Sequence, residues 1–190
     1  MKLSDLFESR NNFLYHGTNV YSALSIMQSN TIKAKTLHFI DKSSVKKKNR
    51  DLFTSDNKVL GVSLSRNIRI AVSFADKELN GVVFCLNYDN LYRDYGKRII
   101  PIDYFKTTFI KKNPDFVFDK SSPYYVGRDN DSGEAEEFVL GNINNVTKYI
   151  DVVYLTVYMF KEELSDKQEQ FLSLYPTITK IYSTKLRKIL

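Results

Sequence analysis

The stretch FLYHGTNVYSALSIMQSN, residues 13–30, decides the fold expected for this chain. Its first four residues are mostly apolar and run into a glycine, which is typical of a short strand that ends in a turn. Thr18 can cap a helix that follows, and we expect this helix to end near Asn30. Apolar residues recur at helical spacing between them, at Val20, Ala23, Leu24 and Met27. The pattern therefore predicts a strand followed directly by a helix.

Strand and helix patterns continue along the rest of the chain. Helical spacing predicts helices at 68–74 and 162–171. Many short strands with two or three helices indicate an α+β fold. The polar residues 1–12 indicate an N-terminal arm, and residues 13–190 form a single expected domain. Apolar or alternating runs predict the further strands, at 32–39, 59–65, 82–86, 98–102, 138–140 and 150–159.

Composition narrows the class of protein. The 190 residues are 43% hydrophobic and 26% charged, which excludes a disordered chain and fits one globular domain. Lys and Arg (28) exceed Asp and Glu (22) by 6, a balance that suits an anionic partner such as a nucleotide or nucleic acid, or simply solubility. The single cysteine, Cys85, excludes disulfides and multi-cysteine zinc sites. With no apolar run of membrane-spanning length and no signal-peptide pattern, we expect a soluble, intracellular protein.

Three polar segments lie at strand ends or beside glycine turns. Tyr15-His16-Gly17-Thr18 offers a ring nitrogen to a hydroxyl, and its glycine lets a ligand approach the main chain. In GVSLSR, residues 61–66, Ser63 and Ser65 share one face because strand side chains alternate. Glu134-Ala135-Glu136-Glu137 crowds carboxylates at the start of a strand. Each segment also has a structural explanation: a packed histidine, serines on an exposed face, and solvated carboxylates.

The order of these segments resembles the ADP-ribosyltransferase superfamily over residues 13–150. Tyr15-His16-Gly17-Thr18 is similar to the His-Gly motif of the poly(ADP-ribose) polymerase and diphtheria-toxin branch. Ser63-Leu64-Ser65 is similar to the Ser-x-Ser strand of the arginine-modifying branch, and Glu137-Phe138-Val139-Leu140 to the catalytic glutamate with its apolar followers. The resemblance implies a split β-sandwich of two small antiparallel sheets with a few flanking helices, which clamps NAD.

The resemblance also implies a reaction. A mono-ADP-ribosyltransferase breaks the bond between nicotinamide and ribose in its co-substrate NAD. It then transfers ADP-ribose to a macromolecular acceptor, here expected to be a protein rather than nucleic acid. Glu137 would stabilise the positive charge that develops on the ribose. No metal and no membrane are implied.

Further site roles follow from the same resemblance. His16 would bind the adenosine ribose, and the main chain of Gly17 would hold the nicotinamide amide. Ser63 would support Glu137 or the nicotinamide ribose. The remaining NAD-binding residues are Tyr15, Thr18 and Ser65, and either Tyr15 or a tyrosine of the Tyr124-Tyr125 pair would stack on the nicotinamide.

The choice of catalytic glutamate bears on the acceptor. In the arginine-modifying branch, a second Glu or Gln two positions before the catalytic one contacts the acceptor. If Glu137 is catalytic, that position is Ala135, which disfavours arginine as the acceptor. If Glu136 is catalytic, that position is Glu134, which is compatible with arginine as the acceptor. The apolar residues directly after Glu137 favour this residue. Because strand side chains alternate, only one of the two can line the site.

The turn-rich segment 106–133 lies where the family's acceptor-recognition loop would lie. Arg128 and Tyr125 are its acceptor candidates, with Glu134 and Glu136 beside them. A long irregular segment in a compact domain is more often functional than idle.

Other functions fit parts of the sequence. An RNA 2′-phosphotransferase also uses NAD and could place RNA phosphate on the basic run Lys46–Arg50. A catalytically inactive nucleotide-binding or virion-associated interaction protein would keep the motifs without the reaction. The whole chain also resembles small ADP-ribosyltransferase-like proteins of large tailed phages, and Leu6-Phe7-Glu8 the Leu-x-Glu sites cut by phage prohead proteases. That resemblance implies action in a host cytoplasm, on a host protein, after packaging in the virion.

Overall fold

The computed structural model describes residues 12–41, 58–75, 81–102, 136–157, 163–183 and 188–189. Its strands are β1 Phe13–Asn19, β2 Thr31–Ile32, β3 Lys35–Asp41, β4 Lys58–Ser65, β5 Gly81–Asn87, β6 Ile99–Ile102, β7 Glu136–Leu140, β8 Ile143–Asn144, β9 Ile150–Val157, β10 Thr179–Ser183 and β11 Lys188–Ile189. The α-helices are α1 Val20–Ser29, α2 Ile68–Ala75, α3 Tyr88–Tyr95 and α4 Asp166–Leu174. Short 3₁₀ turns cover Gly96–Arg98 and Val146–Lys148.

The described strands form one large sheet and one small one. The large sheet has the order β11-β10-β9-β5-β1-β4-β7-β6, with β3 also paired to β4, and β2 pairs with β8. A single residue pair, Tyr15 with Ser65, joins β1 to β4. The expected α+β class is confirmed, and the large sheet consists of two halves that meet at this pair. Where only antiparallel sheets were expected, β9 and β10 run parallel.

The edge of β4 explains why the two halves meet so narrowly. At Gly61, β4 pairs with β7 on one edge and with β3 on the other. At Ser65 it again pairs with β7, while β1 takes the edge that β3 occupies further back. Because β3 and β1 share this edge, β1 pairs with β4 only at Ser65, the last residue of β4. We call the intervening edge, residues 62–64, the β4 notch.

The first helix begins one residue later than predicted, because strand β1 continues to Asn19. Thr18 is still paired with Val82 in the sheet, so it does not cap α1. Asn19 is the cap instead, and its side chain accepts a hydrogen bond from the Ser22 amide at 2.9 Å. At the other end, Asn30 adopts the left-handed conformation with φ 51°, which ends the helix where the sequence predicted.

Two cores lie on opposite faces of the large sheet. On the first, the α1 face, alternate strand residues pack against buried side chains of α1, α3 and α4. On the second, the α2 face, the intervening residues pack against α2. The α1 face includes Leu14, Val62, Leu64, Val82, Phe84, Leu86, Val139, Val153 and Leu155. The α2 face includes Tyr15, Val83, Cys85, Val152, Tyr154 and Tyr182.

Several predicted elements differ from the structure. The predicted strand 32–39 is divided into β2 and β3, and helix α3 and strands β10 and β11 were not predicted. The predicted arm (apart from Asn12) and the segment 106–133 lie outside the described residues. Among the helices that are described, none combines the length and hydrophobicity that a membrane span requires.

A buried hydroxyl on the α2 face allows a stability test. Thr156 is fully buried, and its Oγ1 has no hydrogen-bond partner among the described residues. We expect Thr156→Val to raise the free energy of unfolding by about 1 kcal/mol, because a buried hydroxyl without a partner is costly. Urea unfolding measures this change.

A matched control uses the same substitution at a hydroxyl that has a partner. Thr179 Oγ1 donates to the Tyr175 carbonyl at 2.6 Å, so Thr179→Val should lower the free energy of unfolding by about 1 kcal/mol. Equal destabilisation by both substitutions would show that Thr156 Oγ1 is satisfied in solution.

Candidate active site

The three motif segments lie on three neighbouring strands. Tyr15-His16-Gly17-Thr18 belongs to β1, Ser63-Leu64-Ser65 to β4, and Glu137 to β7, and the sheet order is β1-β4-β7. Tyr15 pairs with Ser65, and Leu64 pairs with Glu137. Residues more than 100 positions apart are thus brought to the place where the two halves of the sheet meet.

His16 bridges the β4 notch with its side chain. Its Nδ1 lies 3.0 Å from the Ser63 carbonyl oxygen. A carbonyl oxygen can only accept, so Nδ1 carries the proton and Nε2 of the neutral ring has a free lone pair. Enclosure by surrounding atoms lowers the pKa of His16; the Lys35 charge lowers it too, while the bond to Ser63 opposes the shift. His16 is therefore neutral at neutral pH, with Nε2 ready to accept a hydrogen bond.

A buried ion pair joins β4 to β7. Arg66 Nη1 donates to Glu137 Oε1 at 3.4 Å, and the two side chains are only 3% and 1% exposed. Glu137 pairs with Leu64, so its side chain leaves the sheet on the α1 face. Arg66 directly follows β4, and its contact with Glu137 places its guanidinium on the same side. The sequence pattern assigns Arg66 no role, because its carboxylate partner lies 71 positions away along the chain.

His16 shares this side of the sheet with Arg66 and Glu137. It alternates with Tyr15 along β1, which places it on the face of Leu14. Leu64 lies on the strand between His16 and Glu137. Because β1 pairs with β4 only at Ser65, the backbones of His16 and Glu137 lie at least two strand spacings apart, which is at least about 10 Å. A ligand that contacts both side chains must therefore be extended.

The serines lie on the other side. Ser63 pairs with Phe138 and Ser65 with Glu136, so both serine side chains leave the sheet opposite to Glu137. The Ser65 hydroxyl is buried and accepts a hydrogen bond from the Asn67 amide at 3.0 Å. It thereby shapes the turn that leads into α2. Ser63 is exposed.

The other β1 candidates are held by the α2 face and by β5. Tyr15 is 7% exposed, and burial, with contributions from Cys85 and Tyr154, raises its pKa. The ring packs in the core of the α2 face, on the opposite side of the sheet from Glu137. A Cβ atom at Gly17 would collide with the Ala71 carbonyl oxygen, so this glycine lets α2 approach β1. Thr18 is half-buried.

The structure describes the remaining candidate residues only in part or not at all. Glu134, Arg128 and Tyr125 lie outside the described residues. Of Glu136, the structure describes the strand position in β7, opposite Ser65. Among the described residues, Arg66 and Glu137 are therefore in contact on the α1 face, and His16 lies on the same face across β4.

Comparison with known proteins gives structural likeness only. No protein-family model and no curated protein matches the chain. It is similar to DarT of Thermus sp. 2.9 in complex with ADP-ribosylated ssDNA, with 9% identity and a TM-score of 0.45 over 93% of this chain and 95% of that one. A second structure of that DarT, in complex with NAD+, has 10% identity and a TM-score of 0.42 over 92% and 96%.

A third similar structure is Thermosipho africanus DarTG in complex with ADP-ribose. It has 10% identity and a TM-score of 0.41, over 92% of this chain and 50% of that one. At such identities and TM-scores, a function for this chain has to rest on its own residues.

Proposed function

We propose that residues 13–190 form one catalytic domain, an NAD-dependent mono-ADP-ribosyltransferase. The observation that carries this proposal is the buried carboxylate of Glu137, which is 1% exposed and forms an ion pair with Arg66. Glu137 lies on β7, the strand that pairs with β4 beside the notch. The three motifs that resemble the superfamily in order also lie on adjacent strands. Both the sequence pattern and the geometry favour Glu137 over Glu136.

The groups on the α1 face suit NAD as co-substrate. NAD is extended, carries ribose hydroxyls at both ends and has anionic phosphates between them. Nε2 of His16 can accept from a hydroxyl of the adenosine ribose, and Glu137 can accept from one of the nicotinamide ribose. A backbone separation of at least about 10 Å suits a ligand with two ribose units. The main chain of Gly17, one residue after His16, lies on the strand beside the same notch.

Glu137 supplies the electrostatic part of the reaction. The bond between ribose C1′ and the nicotinamide nitrogen breaks, and nicotinamide leaves as a neutral molecule with the bonding electron pair. Positive charge on the ribose is then stabilised by the nearby carboxylate. The acceptor's nucleophilic atom bonds to C1′, and its proton passes to Glu137 and on to water.

The acceptor is the least defined part of the proposal. A net charge of +6 suits a nucleic acid as well as an acidic protein surface. The neighbour structure with ADP-ribosylated ssDNA adds single-stranded DNA to the acceptors worth testing beside host protein. Arg128, Tyr125, Glu134 and Glu136 remain candidates for contacting the acceptor.

The test incubates the purified chain with NAD labelled in its adenylate half. Nicotinamide release is followed alone, with cell-lysate protein, and with single-stranded DNA. We expect release together with label on one acceptor, and that acceptor names the substrate class. Release without label indicates an NAD glycohydrolase, and NAD binding without release supports the inactive binding protein.

His16 provides a pH-dependent prediction. Because its pKa lies below the ordinary value of 6.5, the ring is mostly neutral at pH 6.5 and increasingly so above it. NAD affinity should therefore change little at neutral pH and above and fall in more acidic solution, as Nε2 gains a proton. Calorimetric titration of NAD at several pH values measures this.

Two isosteric variants separate the two nitrogens of His16. In His16→Asn the amide nitrogen can keep the bond to the Ser63 carbonyl, while the Nε2 acceptor is lost. We expect normal stability and about tenfold weaker NAD binding, the value of one hydrogen bond. His16→Gln loses the Ser63 contact and should lower stability. Unchanged NAD affinity in His16→Asn would remove His16 from the binding site.

A further inference from the structure

We propose that Arg66 is a positioning residue, which holds the Glu137 carboxylate ionised and correctly oriented for the reaction. This inference rests on the proposed function and extends it. The superfamily resemblance gave Arg66 no role; the assignment comes from the geometry of β4 and β7.

Because Glu137 is buried, its charge state depends on its ion pair with Arg66. A carboxyl group at 1% exposure is driven towards its neutral form unless a cation lies beside it. A neutral acid can neither stabilise positive charge on a ribose nor take up the acceptor's proton. The guanidinium of Arg66, 3.4 Å from Oε1, provides that cation from the turn that follows β4.

The backbone of Arg66 is fixed on both sides. Ser65 is paired with Tyr15 and accepts from the Asn67 amide. Asn67 in turn caps α2, since its side chain accepts from the Arg69 amide at 3.0 Å. Arg66 therefore leaves the chain at a rigid junction between β4 and α2.

The same junction connects the site to the α2 face. Helix α2 packs closely on Gly17, one residue after His16. The turn that carries Arg66 therefore leads directly into the helix that packs beside His16.

The test compares nicotinamide release by the wild-type chain, Arg66→Met and Arg66→Lys. We expect Arg66→Met to lower kcat about 100-fold, the size of effect seen when one electrostatic group is removed from an active site, while KM for NAD changes much less. Arg66→Lys keeps the charge and should retain part of kcat. The control is Arg69→Met, which removes an exposed arginine three residues away and should leave kcat within a few-fold of wild type.

Chemical rescue distinguishes positioning from folding. Millimolar guanidinium should restore part of the activity of folded Arg66→Met, whereas urea, an uncharged molecule of similar shape, should not. Wild-type kcat in Arg66→Met, or equal rescue by urea, overturns the inference and leaves the proposed function standing. If Arg66→Met does not fold, Arg66→Lys decides: unchanged kcat overturns the inference. A wild-type chain that releases no nicotinamide overturns the proposed function itself.

Discussion

Glu137→Leu is expected to lower the free energy of unfolding by about 3–5 kcal/mol. The substitution leaves the guanidinium of Arg66, which is 3% exposed, buried without this carboxylate. A buried charge that loses its partner keeps its desolvation cost and loses the attraction that offset it. Urea unfolding followed by circular dichroism measures the change.

The double variant Arg66→Met with Glu137→Leu is the matched control. Both charges are then replaced by apolar side chains of similar volume, so most of the lost stability should return. This recovery would show a direct coupling between the two side chains. If the double variant is as unstable as the sum of the single ones, the pair does not exist in solution.

Gly17→Ala is expected to lower the free energy of unfolding by about 3 kcal/mol, the upper part of the range for overpacking. A Cβ atom there would collide with the Ala71 carbonyl oxygen and lie 2.9 Å from the Ala71 carbonyl carbon and 3.1 Å from the Ala75 nitrogen. These atoms belong to the backbone of α2, so the whole helix would have to move. Thermal and urea unfolding measure the loss.

Gly96→Ala provides the control for this prediction. At Gly96 the nearest atoms to an added Cβ are those of the Tyr92 ring at 3.2 Å, and that side chain is half-exposed and can turn away. The backbone there is right-handed helical, with φ −47° and ψ −38°. We expect a change within about 1 kcal/mol. Equal losses at Gly17 and Gly96 would contradict the close approach of α2.

Local pattern was enough to predict much of the fold. The strand and helix at 13–30 combine an apolar strand, a glycine and helical spacing, so both elements were predicted with nearly correct ends. Helix α3 was missed because its sequence, YDNLYRDY, buries only Leu91. Strand β10 was missed because its parallel partner β9 lies more than 20 residues earlier, beyond the reach of local patterns.

The sequence also predicted only part of the candidate site. Period-2 alternation places Ser63 and Ser65 on one face and Glu136 and Glu137 on opposite ones. It cannot give the register between β4 and β7, which pairs Leu64 with Glu137. That register places Glu137 with Arg66 and away from the two serines. Register depends on tertiary pairing across about 70 residues, so only the structure supplies it.

The most direct measurement of the central claim is nicotinamide release from NAD by the wild-type chain, Glu137→Gln and Glu136→Gln. Glutamine keeps the volume of each side chain and removes its charge, and the two positions are neighbours on one strand. We expect release by the wild type, a loss of about 100- to 1,000-fold in Glu137→Gln, and a change of no more than a few-fold in Glu136→Gln. No release by the wild type, or full release by Glu137→Gln, would contradict the account.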